Sequence, residues 1–245
     1  VLARLIGLFF LIPLIYFYFS KKIRSDYINI CFLISLLIVL QGVIGWFMVK
    51  SGLVNNTSVS HYRLSVHLIT AIIIISSIYW LIMNIKTKQN KIFFKFTNQN
   101  LPFQILILLI LFQIIMGAFV SGLDAGKIYQ TWPLMGANYL PDDYSFVNFQ
   151  SLLKLDNHSL VQFYHRNLAY LIIIYVIFLS IFIYRKKLQK LYFSMKVLLL
   201  FLLFQVILGI STLITGLNIY LASAHQITSV LLAFSALNLY YFRAK

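Results

Sequence analysis

The segment Gln162-Phe163-Tyr164-His165-Arg166-Asn167-Leu168-Ala169-Tyr170 sets an imidazole and a guanidinium at the mouth of an apolar run that reaches Tyr184. Ala222-Ser223-Ala224-His225-Gln226 opens another apolar run, ending at Phe242, with a histidine in the same place, and His67-Leu68-Ile69-Thr70-Ala71 enters a third. A membrane helix takes up ionisable side chains only at a cost, about 2.5–3.5 kcal/mol for Arg at its centre, so their presence marks a functional site. Neutral imidazole is a common ligand of heme iron, and two histidines from facing helices can fill both axial positions of one planar cofactor. A lone membrane histidine can instead hydrogen-bond a neighbouring helix, and His61, at the start of His61-Tyr62-Arg63, reads as interfacial.

The elements that must position these residues follow from composition. Of 245 residues, 61% are hydrophobic and 10% charged, and the mean hydropathy is +0.90, too apolar for a soluble globule. Spans need roughly 20 apolar residues each. Seven such runs occur, at about 1–19, 28–49, 64–85, 102–122, 160–184, 194–215 and 219–242. They are apolar on every face and too long for barrel strands, which alternate over short segments. The expected class is an all-α integral membrane protein.

A net charge of +15 could suggest nucleic acid, but the basic residues fall in short loops. Lys21-Lys22-Ile23-Arg24, Lys86 to Lys95, Arg185-Lys186-Lys187 with Lys190, and Arg243 with Lys245 follow the first, third, fifth and seventh runs. The positive-inside rule puts those ends on the cytoplasmic or matrix side, with membrane lipid as surroundings and no nucleic-acid partner. The longest intervening loop, about 124–158, carries Asp124, Asp142, Asp143 and Asp156 against Lys127 and Lys154, and is expected outside. Its aromatic and apolar residues, Trp132-Pro133-Leu134-Met135-Gly136 among them, suggest that it folds back over the bundle. Cys31 has no partner, so no intrachain disulfide can form.

Gln-x-x-x-Gly occurs at Gln41, Gln113 and Gln205, each time on a run followed by an outer loop. The glycines allow close helix approach and a buried glutamine can hydrogen-bond across an interface. Laying Gln41, Gly45 and Gly52 on Gln205, Gly209 and Gly216 needs no gap, and six extra residues in the first outer loop then bring His67-Leu68-Ile69-Thr70 onto His225-Gln226-Ile227-Thr228. The chain therefore reads as a duplication, with His67 and His225 equivalent, divided into 1–97 and 98–245. Backwards, Leu2-Ala3-Arg4-Leu5 answers to Leu168-Ala169-Tyr170-Leu171, so the counterpart of His165 would precede Val1. The chain, without an initiator Met, reads as a fragment of an eight-span protein of two four-helix halves. His158 shares a helical face with His165; the repeat selects His165, and Asp156-Asn157 reads as a helix start that leaves His158 in the first turn. Pro13 is expected to kink the first helix, and Arg4 to snorkel to the headgroups.

With these motifs, together with Gly122-Leu123-Asp124-Ala125-Gly126 and Pro133-Leu134-Met135-Gly136, the whole chain resembles the heme A synthase family, in its proteobacterial and mitochondrial branch because no outer loop carries a cysteine pair. The resemblance implies a membrane oxidoreductase that oxidises a methyl group of heme O to the formyl group of heme A for cytochrome c oxidase biogenesis. It implies heme b held by His165 and His225 in the C-terminal half, and the substrate heme in the N-terminal half with His67 as one iron ligand. The implied partners are heme O and heme O synthase; the electron donor and a homo-oligomer stay open. The expected membrane is the bacterial inner membrane, or its mitochondrial counterpart, with the heme sites near the outer face. The family's catalytic glutamate and second N-terminal histidine, in a Glu-x-x-His-Arg motif, would precede Val1, so this fragment is expected to lack activity by itself. Arg166 and Arg63 are candidates to pair with heme propionates; topology or lipid-phosphate anchoring would use them equally well.

Two other readings compete: a diheme electron-transfer cytochrome using the same histidines without substrate chemistry, and a heme-free carrier built from a repeat. No acidic residue lies inside any predicted span, which disfavours a proton-coupled carrier. The charge bias yields a direct test. With Cys31 replaced, single cysteines in the Lys86–Lys95 loop should label only from the cytoplasmic or matrix side and cysteines in the 124–158 loop only from the other. Labelling of the Lys86–Lys95 loop from outside overturns this topology.

Overall fold

The structure, a computed structural model, describes residues 2–52, 59–93, 95–143, 152 and 154–244. Its elements are α1 (Leu2–Phe19), α2 (Ser25–Gly52), α3 (His61–Thr87), α4 (Leu101–Gly122), α5 (His158–Arg185), α6 (Tyr192–Ile214) and α7 (Ile219–Arg243). Single 3₁₀ turns precede α6 and follow α4. Helix is the form that satisfies every backbone N–H and C=O within its own segment, as a hydrocarbon environment demands. The stretches within α2 to α7 are long and apolar enough to cross a bilayer; in α1 the apolar stretch of described side chains is shorter, Gly7–Phe19. Phe9, Phe193 and Tyr220 stand 78%, 78% and 81% exposed. Apolar surface presented so fully suits acyl chains rather than water. The chain is an all-α, multi-pass membrane protein.

Local signals set the helix ends. The Asn157 side chain accepts a hydrogen bond from the Leu160 N–H at 2.9 Å and caps α5, which leaves His158 as its exposed first residue. Asn218 caps α7 by accepting from the Tyr220 and Leu221 N–H groups. Both cases follow the usual preference for Asn where the first turn leaves donors unpaired. The α6–α7 turn is tight because Gly216 and Leu217 both take positive φ, 69° and 65°. Pro13 lies inside α1 without interrupting it.

The helices gather into two units, Val1–Phe94 and Lys95–Lys245. In the first, α2 packs on α1 and α3. Tyr27, Cys31, Ile34 and Leu81 form its core, flanked by Phe10, Leu14 and Ile78. Cys31 thus serves as a small apolar side chain. In the second, α5 and α7 each pack on both α4 and α6, so they stand diagonally across the unit. When Gln41 is laid on Gln205, Tyr27, Cys31 and Ile34 fall on Leu191, Met195 and Leu198, and all six side chains are buried. The duplicated register therefore carries the same buried stripe in both units.

The basic segments that follow α3 and precede α4 are pinned by polar side chains. Trp80 Nε1 and Asn84 Nδ2 donate to the Lys91 carbonyl at 2.8 and 3.1 Å, and the Tyr27 hydroxyl donates to the Gln89 carbonyl at 3.0 Å. In the second unit the fully buried Tyr240 hydroxyl accepts from Gln104 Nε2 at 3.1 Å and from the Lys95 N–H at 3.3 Å. Tyr240→Phe removes that acceptor and leaves buried donors without it. The expected loss is about 1–3 kcal/mol, read as a lowered thermal unfolding midpoint in detergent, with Tyr220→Phe, on an 81% exposed residue, unchanged.

Candidate functional site

Each Gln-x-x-x-Gly motif meets one histidine from the helix that follows it. On α2, Gln41 Nε2 donates to the His67 carbonyl oxygen at 3.0 Å and lies 3.4 Å from His67 Nε2. On α4, Gln113 Nε2 donates to the His165 carbonyl at 3.1 Å and lies 3.2 and 3.3 Å from the two ring nitrogens. On α6, Gln205 Nε2 lies 3.3 Å from His225 Nε2. Positions i and i+4 share one helix face, so the glycine sits one turn along, against the same imidazole. A Cβ at Gly45 or Gly209 would stand 3.0 Å from the Cε1 of His67 or His225, and at Gly117 3.3 Å from that of His165. The missing side chain is the slot that the ring occupies.

This arrangement leaves coordination capacity on the histidines. A terminal amide has two hydrogens, and at Gln41 and Gln113 one goes to the histidine's carbonyl. At most one ring nitrogen then receives the other. His67 Nδ1 and His225 Nδ1 are buried without a hydrogen-bond partner, a state that costs about 1–3 kcal/mol per polar group unless a ligand changes it. His165 and His225 lie in one unit, on the diagonal helices α5 and α7. Among the described residues no three His, Cys, Asp or Glu side chains gather to cage a bare ion. Two imidazoles suit an iron whose remaining ligands come from a porphyrin.

Arg166, next to His165, fastens the loop between α4 and α5. Its Nη1 donates to the carbonyls of Thr131 and Leu134 at 2.9 and 3.2 Å, and its Nη2 to that of Tyr129 at 2.9 Å. Gln162 Nε2 joins at the Tyr129 carbonyl, 2.8 Å. Met135 is buried, and Tyr139 stacks edge-on to Phe163, its hydroxyl bonded to Asn167. Gly136 holds φ 75° at this turn, where a Cβ would meet the Asp142 carboxylate at 2.9 Å. Residues 129–139 thus fold onto the His165 end of α5. Arg63 places its guanidinium over the Phe47 ring at 5.0 Å, near the close of α2.

Comparison with known sequences is decisive for kinship: the profile of the cytochrome oxidase assembly protein family matches residues 1–237. The chain belongs to that family. The heme A synthase of Pelagibacter ubique is 44% identical over 238 residues, covering 94% of this chain and 67% of that protein. The heme A synthase of Wolbachia pipientis wMel is 40% identical, covering 96% and 66%, and that of Rickettsia felis is 39% identical, covering 94% and 69%. The chain thus spans about two thirds of the length of these curated relatives.

His165 and His225 share one unit while His67 lies in the other. His61 is buried, with its ring tilted 39° to that of Tyr62 and the centroids 4.1 Å apart. Reading the sequence alone located the glutamines and the histidines separately and missed that each pair touches. Their order, glutamine helix then histidine helix, repeated three times, was the available signal. Missed too was the clasp at Asp143, whose carboxylate accepts from Tyr129 and Ser159 hydroxyls at 2.8 and 2.7 Å.

Burial works to raise the Asp143 carboxyl, but the Ser159 and Tyr129 hydrogen bonds outweigh it and hold it below the usual carboxylate range. A depressed acid contributes its stabilisation above its ordinary value, about 3.9, and loses it as pH falls through the lower folded value. A fluorophore on Ala137→Cys, with Cys31 replaced, should therefore report loop release only below about pH 4. Ser159→Ala should move that release to higher pH.

Proposed function

We propose that this chain works as a heme A synthase, oxidising a methyl substituent of heme O to the formyl group of heme A in cytochrome c oxidase biogenesis. The observation that carries the reading is the pair His165 and His225, on diagonal helices of one unit, each set against a glutamine and a glycine and keeping ring-nitrogen capacity for a ligand. Family membership supports the same reading. We assign His165 and His225 to the iron of a heme b and His67 to the iron of the substrate heme, with the division at about residue 97 separating the two sites. The membrane is the bacterial inner membrane and the sites lie towards its outer face; heme O arrives from a membrane heme O synthase.

Removing hydrogen from an unactivated methyl group lies beyond any side chain, and a bound heme supplies that redox capacity. The protein's own residues do the placing. In its neutral form each of the imidazoles of His67, His165 and His225 offers a nitrogen lone pair to iron. Arg166 holds the carbonyls of Tyr129, Thr131 and Leu134 beside the His165 end of α5. Its Nε is buried and carries no hydrogen bond, and it and Arg63 are the cations we assign to propionates, whose charge-assisted pairing would orient the macrocycle.

The test starts from the holoprotein. His165→Ala and His225→Ala should each abolish the low-spin heme b spectrum, while His158→Ala preserves it. Unchanged spectra in both, or loss with His158→Ala instead, overturn the ligand assignment. With the same substitutions in the chromosomal gene, extracted hemes should show heme O accumulating and heme A falling at least tenfold, as expected when a group essential to the reaction is removed. An unaltered heme A content with the b-type spectrum lost would favour an electron-transfer cytochrome.

A further inference from the structure

We infer that Gln41–Gly45, Gln113–Gly117 and Gln205–Gly209 are positioning pairs that set the depth and the rotation of the histidine each one faces. The inference rests on the reading of those histidines as heme ligands and adds which residues aim them. Three observations carry it. The amides of Gln41 and Gln113 bind the carbonyl of the very residue that bears the imidazole, at 3.0 and 3.1 Å, so they fix how far that residue stands along its neighbour. All three amides also stand within 3.4 Å of a ring nitrogen, which limits where the imidazole edge can lie. All three glycines abut Cε1 of the ring, so the plane is held between an amide and a bare backbone. The glutamine Oε1 atoms are buried without a partner at all three places. Apolar side chains would avoid that cost if packing were the only requirement. The same device on three helix pairs, in both units, indicates a common task.

The ring's neighbours grade the expected effects. Gly209→Ala puts a methyl 3.0 Å from His225 Cε1 and 3.4 Å from its Nδ1, so the ring must give by a few tenths of an ångström; at Gly117 the nearest atom is 3.3 Å away and a smaller shift suffices. Gly42, on the same helix as Gly45, meets nothing within 4 Å, and Gly42→Ala is the control. In the full-length holoprotein, low-spin electron paramagnetic resonance and the midpoint potential of heme b should change more for Gly209→Ala than for Gly117→Ala, and not for Gly42→Ala. Gln205→Met and Gln113→Met keep side-chain length without the amide. Each should weaken heme retention about 10- to 100-fold, the range for groups that orient metal ligands, with helix content unchanged by circular dichroism. If His165→Ala and His225→Ala abolish the signal but these glycine and glutamine variants keep the parent spectrum, potential and retention, the pairs are packing only. If the histidine variants keep the signal, the heme reading itself fails. Should Gly209→Ala not accumulate, Gln205→Met decides by the same readouts.

Discussion

An imidazole inside a bundle of apolar helices needs room for its ring, a partner for one nitrogen and freedom for the other. The other features of the site follow from how that need is met. Room comes from a glycine whose absent Cβ would stand 3.0–3.3 Å from the ring. The partner is a glutamine one turn away, long enough to cross the interface and, at α2 and α4, to bind the histidine's own carbonyl as well. Because i and i+4 lie on one face, a five-residue motif on one helix is sufficient to receive a residue from the next. Close approach at the glycine and a hydrogen bond at the glutamine then also hold the helix pair together where lipid supplies little hydrophobic drive for association.

Outside the helices, polar side chains do what apolar packing cannot. The α4–α5 loop would carry unpaired carbonyls into the end of the unit; Arg166 and Gln162 take up those of Tyr129, Thr131 and Leu134. A guanidinium suits this because its planar fork offers several donors in fixed directions. Arg166 therefore has a structural task beside any role with an anionic ligand. Tyr240, Gln104 and Asn100 secure Lys95 ahead of α4, and Trp80 and Asn84 secure Lys91. Both basic segments are thus anchored by side chains from membrane helices.

Sequence alone determined the class, the approximate spans and the recurrence of the Gln-x-x-x-Gly pattern. Long runs without charge admit one backbone form in lipid, and an ungapped match of Gln41, Gly45 and Gly52 to Gln205, Gly209 and Gly216 survives any packing detail. Asn157 was legible as a cap because capping depends on neighbours within a turn. The histidines stood out because ionisable residues are scarce in such runs.

Only the tertiary structure decided which residues meet. Gln113 and His165 are 52 positions apart, and Arg166 reaches carbonyls more than 30 positions away. Contacts of that range depend on helix rotation and loop path, which local patterns leave free. A glycine in a membrane helix reads simply as close packing until the ring it admits is in place. A basic residue at a helix end reads as topology until the carbonyls around it are counted. Composition sets how much polar chemistry the membrane tolerates, while the fold assigns each polar group its partner, because hydrogen bonds between helices are made only at the few points where two backbones come near.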